Sequence, residues 1–276
     1  MRQFDTLKGL AVREPDDIYH ARATEYVGSH ALATFRDSPR LFANQWKGLS
    51  VKPDSQPYAF GRAFHTMLLE GEDVFRERYQ VGGPVNPKTG AEYGSETKAY
   101  QEWRAQQPKE CVSTADYAML VQMRMGAKRN SANPLSVVGF TPLIECVWRT
   151  TIEGVPVQAK IDYFNNQNLI LDAKSCRSVR SFMDDAKAYG YHYQLAFYAM
   201  VLAASLGVPF EEFTHDAALF AVEKQEPFRS LFVHVPRHVI ADCEQENRRA
   251  LRDMRECMDA DIWPDNYDGD VQVFAL

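Results

Sequence analysis

Apolar positions follow a helical period through the first half of the chain and a strand period after Asn133-Pro134. In 58–70, Phe60, Phe64 and Leu68 recur at i, i+4 and i+8, which predicts a helix with one buried stripe; Gly61 and His65 share the adjoining row. Ahead of it, Ser29 reads as the N-cap of a helix running through Arg36. Ser38-Pro39 interrupts that helix, 40–46 resumes the spacing, and 51–57 is a Pro- and Ser-containing loop. Breakers from Gly82 to Gly90 predict an exposed loop with Lys88 near its tip. Helices are then predicted over 95–107 and 113–129, the second with Tyr117, Leu120, Val121 and Met125 at core spacing.

Beyond Pro134, β-branched and aromatic residues give a meander of strands at 143–151, 155–164 and 169–174, turned by Glu153-Gly154 and Asn165-Asn166. Helices over 179–189 and 192–206 follow, the second ended by Gly207 and Pro209. Strands at 216–222 and 230–235 and a long charged helix over 238–259 complete the order. Helices, three strands, helices, a strand pair and a helix make an α/β chain with one mixed central sheet flanked by helices. Residues 1–28 are polar and weakly periodic and read as an arm or linker, 29–265 as one domain, and 266–276 as a tail.

Composition changes this picture little. With 276 residues, 45% apolar and 25% charged, the chain can bury a large core, and no apolar run approaches the roughly 20 residues of a membrane helix. The start lacks the apolar segment of a signal peptide, so a cytoplasmic protein is expected. Cys111, Cys146, Cys176, Cys243 and Cys257 are odd in number and scattered, which argues for free thiols. The net charge of −6 does not advertise a nucleic-acid surface, yet clustered metal-binding carboxylates themselves make a chain acidic.

The candidate chemistry lies at 168–174, Asn-Leu-Ile-Leu-Asp-Ala-Lys. Strand alternation points Asp172 and Lys174 one way and Leu169, Leu171 and Ala173 the other. Asp162 lies near the end of the preceding strand, and Gln194 and Tyr198 lie at i and i+4 of a later helix. Phosphodiester hydrolysis needs an attacking water, charge neutralisation and a stabilised leaving oxygen, all within reach of a cation held by carboxylates. Asp162, Asp172 and the carbonyl of Ala173 suit such a cation, with Lys174 facing the phosphate. An Asp-x-Lys pair is equally an ordinary ion pair at a strand end, and His65 alone a histidine bonded to backbone.

The ordered set Gly61-x-x-x-His65, Lys160-Ile161-Asp162, Ile170 to Lys174 and Gln194-x-x-x-Tyr198 resembles the RecB-like branch of the PD-(D/E)xK nucleases. More narrowly, it is similar to exonuclease domains of the RecE (exonuclease VIII) type, over roughly 26–265. The resemblance implies a restriction-endonuclease-like fold, with His65, Asp162, Asp172 and Ala173 as metal ligands for Mg²⁺ or a substituting Mn²⁺. Lys174 would be catalytic, and Gln194 and Tyr198 would orient it or hold DNA. It further implies 5′-to-3′ digestion of linear duplex DNA, a 3′ overhang for an annealing protein of the RecT type, and a toroidal homo-oligomer, a tetramer in the RecE type. Ser29, Leu32 and Pro39 match the amino-terminal helix of this branch loosely. Only Cys243 and Cys257 lie near the carboxy terminus, so the iron–sulfur cluster of some relatives is not expected. No Gly-x-x-x-x-Gly-Lys-Ser/Thr motif is encoded.

Glu145 reads as either an addition to the metal shell or a strand-surface charge. Arg177 and Arg180, and Arg36, Arg40 and Lys47 at an entrance, are candidate phosphate contacts or solvated charges. Tyr189, Tyr191, Tyr193, Phe197 and Tyr198 read as core and groove wall rather than as a stacking platform.

Overall fold

A computed structural model describes residues 2–50, 56–137, 139–265, 268 and 269. Most of the expected 51–57 loop and of the 266–276 tail lies outside them. Six helices come first: α1 (Arg2–Leu10), α2 (Asp16–Ala21), α3 (Ser29–Asp37), α4 (Pro39–Trp46), α5 (Gln56–His65) and α6 (Glu72–Arg78). A small excursion follows, in which β1 (Tyr79–Val81) pairs in parallel with β2 (Glu110–Val112) around α7 (Lys98–Arg104), before α8 (Thr114–Arg129). The main sheet then begins with β3 (Pro142–Ile152), β4 (Val155–Asn165) and β5 (Leu169–Cys176). Helices α9 (Phe182–Ala188) and α10 (Tyr191–Leu206) lead to β6 (Asp216–Glu223), β7 (Ser230–Val235) and α11 (Arg237–Ala260).

The sheet runs β3-β4-β5-β6-β7, antiparallel except where α9 and α10 cross over to lay β6 parallel to β5. That crossover lets both sheet faces be buried, and the sequence of β6 records it. Ala217, Leu219 and Ala221 pack into the layer of α3, α10 and α11, whereas Ala218, Phe220 and Val222 pack into the layer of α5 and α8. In α10, Leu195 to Ala203 are buried without a break, as expected of a helix enclosed on most sides. The fold is therefore the expected mixed α/β sheet between two helical layers. Among the described residues no helix is long and apolar enough to cross a membrane.

Several expectations need correction. Residues 2–28 are not a free arm: Phe4, Leu7 and Val27 are buried in the core, and Trp148 Nε1 donates to Leu7 O at 2.9 Å. Val12 pairs with Val147 on the outer edge of β3, and Val27 pairs with Val157 on the far side of β4, so the segment brackets the hairpin. A mostly polar segment can do this because backbone groups make the bridges and a few side chains supply the anchors. Gly28, not Ser29, flanks α3, while Ser38 caps α4 by accepting from the Leu41 N–H at 3.1 Å. On α8, Met125 is 50% exposed and Met123 takes the core position instead.

Candidate active site

The site lies where three strands part. Pairs Ile144–Tyr163 and Cys146–Ile161 flank Glu145 and Asp162, which face each other across β3 and β4 without a ladder pair of their own. Glu145 has a φ of +52°, a left-handed conformation uncommon outside glycine, and this breaks the ladder there. β4 pairs with β5 at Tyr163–Leu171 and Phe164–Ile170, and the next step of that register sets Asp162 beside Asp172. There the strands separate, and the Ala173 N–H donates to Asp162 Oδ2 at 2.7 Å instead of to a strand carbonyl. Glu145, Asp162 and Asp172 thus form one row across three strands.

Helices close on this row from both faces. His65 ends α5 and is followed by a π-helical turn, Thr66–Glu70, a distortion often found beside functional residues. Its Nε2 stands 2.9 Å from Ala173 O, and its Nδ1 is 3.3 Å from Glu145 Oε1 and 3.6 Å from Asp162 Oδ1. From the opposite face, Lys174 Nζ donates to Gln194 Oε1 at 3.0 Å and sits 2.6 Å from Asp172 Oδ2. Gln194 Nε2 donates to the Tyr198 hydroxyl at 2.7 Å, and that hydroxyl reaches Asp172 Oδ1 at 3.5 Å. Tyr191 covers the ammonium, with Nζ 4.5 Å from the ring centroid.

Packing acids this closely leaves a mark on their titration. Burial, with Asp172 and Glu145 beside it, pushes Asp162 up to about 7 although His65 opposes the shift. Burial disfavours the His65 imidazolium, yet the Asp162 and Glu145 carboxylates outweigh it and raise His65 to about 9. Glu145 is also penalised by burial but is held down to about 2 by His65 and Lys160. Lys174 is raised despite its burial, because Asp172 and Asp162 flank it.

The residues fit a hard divalent cation. Ligand atoms of His65, Glu145 and Asp162 lie within 4.8 Å of one another. Glu145 Oε1 and Asp172 Oδ2 are buried and meet only the His65 imidazole and the Lys174 ammonium, so the acidic row keeps lone pairs that a cation can take up. Carboxylate oxygens with one imidazole nitrogen suit Mg²⁺ or Mn²⁺. The structure bears on two further members of the expected set. Glu145, 17% exposed in its side chain, belongs to the cluster and is not a surface charge. The Ala173 carbonyl, expected as a ligand, stands 2.9 Å from His65 Nε2, a contact that turns Nδ1 toward the acids.

Lys160, marked in the sequence only as part of Lys160-Ile161-Asp162, reaches the acidic row as well. Its Nζ is 3.0 Å from Glu145 Oε2 and also pairs with Asp16, so residues of the amino-terminal segment reach the site. Glu145, Lys160, Arg13 and Asp16 line one cleft of about 520 Å³. The proposed entrance cations do not gather there. Arg36 bonds Asn247 Oδ1 at 2.6 Å and lies over Tyr193, Arg40 pairs with Asp268, and Lys47 pairs with Asp261. Ser29, Leu32 and Pro39 likewise belong to α3 and α4, with Leu32 in the core. Arg177 and Arg180 are exposed just past the end of β5. Among the described residues nothing lies within 4 Å of where a Cβ at Gly61 would stand.

Known proteins give the same outline. A family model described as a PDDEXK-like domain of unknown function (DUF3799) matches residues 29–274. No curated protein matches. Among solved structures, one named as a candidate exonuclease from Eubacterium rectale superposes with a TM-score of 0.65 at 12% identity, covering 96% of each chain. At that identity the likeness concerns the fold alone. A second, SSO0001, has a TM-score of 0.28 at 12% identity over 42% of this chain and 50% of its own, and carries no argument.

Proposed function

This chain belongs to the PDDEXK-like domain family, and from that premise we propose that it is a divalent-cation-dependent deoxyribonuclease acting on the ends of linear duplex DNA. The observation that carries this reading is the row Glu145–Asp162–Asp172 at the parting of three strands, closed by His65 on one face and by Lys174 on the other. A structural ion pair explains Asp172 and Lys174, but not three carboxylates crowded into one buried row with a single imidazole beside them.

His65 Nδ1, Glu145 and Asp162 would hold the cation, with Asp172 next to them; Mg²⁺ is the proposed ion and Mn²⁺ a substitute. Such a cation, when bound, neutralises phosphate charge and acidifies a water. The chain's own residues supply the rest. Asp172 and Gln194 hold the Lys174 ammonium in one place, so it can meet a phosphate oxygen without reorganising as charge develops. Tyr198 fixes Gln194, and Tyr191 keeps bulk water off one side of the ammonium. Burial of Lys174 strengthens each of these interactions.

The direction of digestion, 5′ to 3′, the 3′ overhang offered to a RecT-type annealing protein, and a ring-shaped homo-oligomer, tetrameric for preference, are part of the proposal and rest on the RecE-type resemblance. The test is a time course on 5′- and 3′-labelled linear duplex with a covalently closed circle as control, in Mg²⁺ and in chelator. The expected result is loss of 5′ label as mononucleotides, an intact circle, and no reaction in chelator. Cutting of the circle would make the protein an endonuclease. Asp172→Ala or Lys174→Ala digesting as fast as the parent would remove this site from the chemistry.

A further inference from the structure

The turn between α9 and α10 carries an aromatic residue that the fold does not use. Tyr189 is 70% exposed, a large apolar surface left in water at the start of the helix that bears Gln194 and Tyr198. Gly190, at φ +67°, makes the turn and sets Tyr189 beside Tyr191, with ring centroids 5.8 Å apart and planes inclined by 31°. Tyr191 in turn leans on Phe182 at 6.2 Å and covers Lys174 Nζ. A continuous aromatic path therefore leads from the catalytic ammonium to open solvent. Its inner ring is fixed by its neighbours, and its outer ring is free on one side.

We propose that Tyr189 is a base-stacking subsite, taking the nucleobase of a nucleotide next to the phosphate that Lys174 contacts. This rests on the nuclease reading above. A phosphate at Lys174 leaves its attached nucleoside within a few ångströms, and the face nearest to hand on the α10 side is the Tyr189–Tyr191 pair. Every base has a π face, so such a contact accepts any sequence, as a nuclease working along DNA requires. Tyr191 is not that platform, because Lys174 lies over it and Phe182 and Tyr189 pack against it as well. Phe197 and Tyr198, further along α10, are buried and also excluded.

The experiment is an abasic scan. Linear duplexes carrying a single abasic nucleotide at successive positions from the 5′ end are digested by the full chain in Mg²⁺, and by Tyr189→Ala, Tyr189→Phe and Tyr189→Trp. Tyr189→Ala should raise KM about 5- to 100-fold, a larger factor than its loss in kcat. Tyr189→Phe should stay within about 2-fold of the parent, and Tyr189→Trp should equal or better it, because stacking needs the ring and not the hydroxyl. At one position the abasic duplex should cost the parent the same factor and cost Tyr189→Ala nothing further. A 2-aminopurine at that position should be quenched by the parent and not by Tyr189→Ala. A parent that digests DNA while Tyr189→Ala keeps the parent KM, or shows no position at which the two losses merge, overturns the subsite alone. A parent that neither binds nor cuts duplex in Mg²⁺ or Mn²⁺ overturns the nuclease reading and the subsite with it.

Discussion

At the scale of single residues, the site is governed by how protons and cations compete for one acidic row. His65 is raised, so the stability it contributes is fully present below its unfolded value near 6.5 and is lost as pH rises through about 9. Asp162 is raised too, and its contribution is present below its unfolded value of 3.8 and lost as pH rises through about 7. Glu145 is depressed; its contribution is present above 4.5 and lost as pH falls through about 2. A cation must displace the protons on His65 and Asp162. Apparent Mg²⁺ or Mn²⁺ affinity should therefore climb roughly tenfold per pH unit between 7 and 9, and more steeply below 7. Calorimetry in two buffers of different ionisation enthalpy checks this through the protons released. Thermal melts should show a larger stabilisation by Mg²⁺ at pH 9 than at pH 6. Glu145→Gln should weaken Mn²⁺ binding by about 10- to 100-fold in the same titration, and should also lower the melting temperature at neutral pH, because the carboxylate that pairs with His65 and Lys160 is lost. Gln194→Ala should lower kcat about 10- to 100-fold and leave KM for DNA near the parent's, because it frees Lys174 without touching the substrate surface.

At the scale of elements, two glycines act in opposite senses. Gly61 belongs to the motif that marks the chain as nuclease-like, yet a Cβ there meets nothing within 4 Å. Replacing a glycine inside a helix by alanine gains about 0.5–1 kcal/mol, so Gly61→Ala should raise the urea midpoint. If digestion falls in that variant while stability rises, the open space at Gly61 is where DNA passes. Gly126 is the reverse. A Cβ there would stand 1.9 Å from the Phe228 carbonyl oxygen, in the turn between β6 and β7. Gly126→Ala must push α8 off that turn and should cost about 1–3 kcal/mol or more in chemical denaturation. A helical stripe predicts which face of α8 is buried, but not that one backbone approaches another so closely.

At the scale of the molecule, the amino-terminal segment binds the sheet together. It brackets the β3–β4 hairpin through Val12 and Val27 and supplies Asp16 to the Lys160–Glu145 pair. Leu7 is fully buried, and Leu7→Ala should cost about 2–5 kcal/mol in a urea melt. A segment merely tethered to the domain would show no such loss. Removing 1–28 should in addition lower activity, by loosening the strand that carries Glu145. The family match begins at residue 29, so the bracket lies outside the matched residues while packing into the core they form.

The sequence by itself determined the order and type of most elements, because strand alternation in 169–174 and the helical stripe Phe60, Phe64, Leu68 are local patterns fixed by backbone geometry. The family resemblance also singled out His65, Asp162, Asp172, Lys174, Gln194 and Tyr198 as an ordered set. Only the tertiary structure decided what those residues touch. Glu145 joins the cluster because strand register sets it opposite Asp162, and register depends on partners far away in sequence. Ala173 O orients His65 because α5 happens to cross β5 at that point. Phe4 and Leu7 are too few to make a period, so their burial is invisible until the hairpin they cover has formed. Periodicity reports which side of an element faces inward; the distances that make carboxylates, imidazole and ammonium into a site belong to the packed whole.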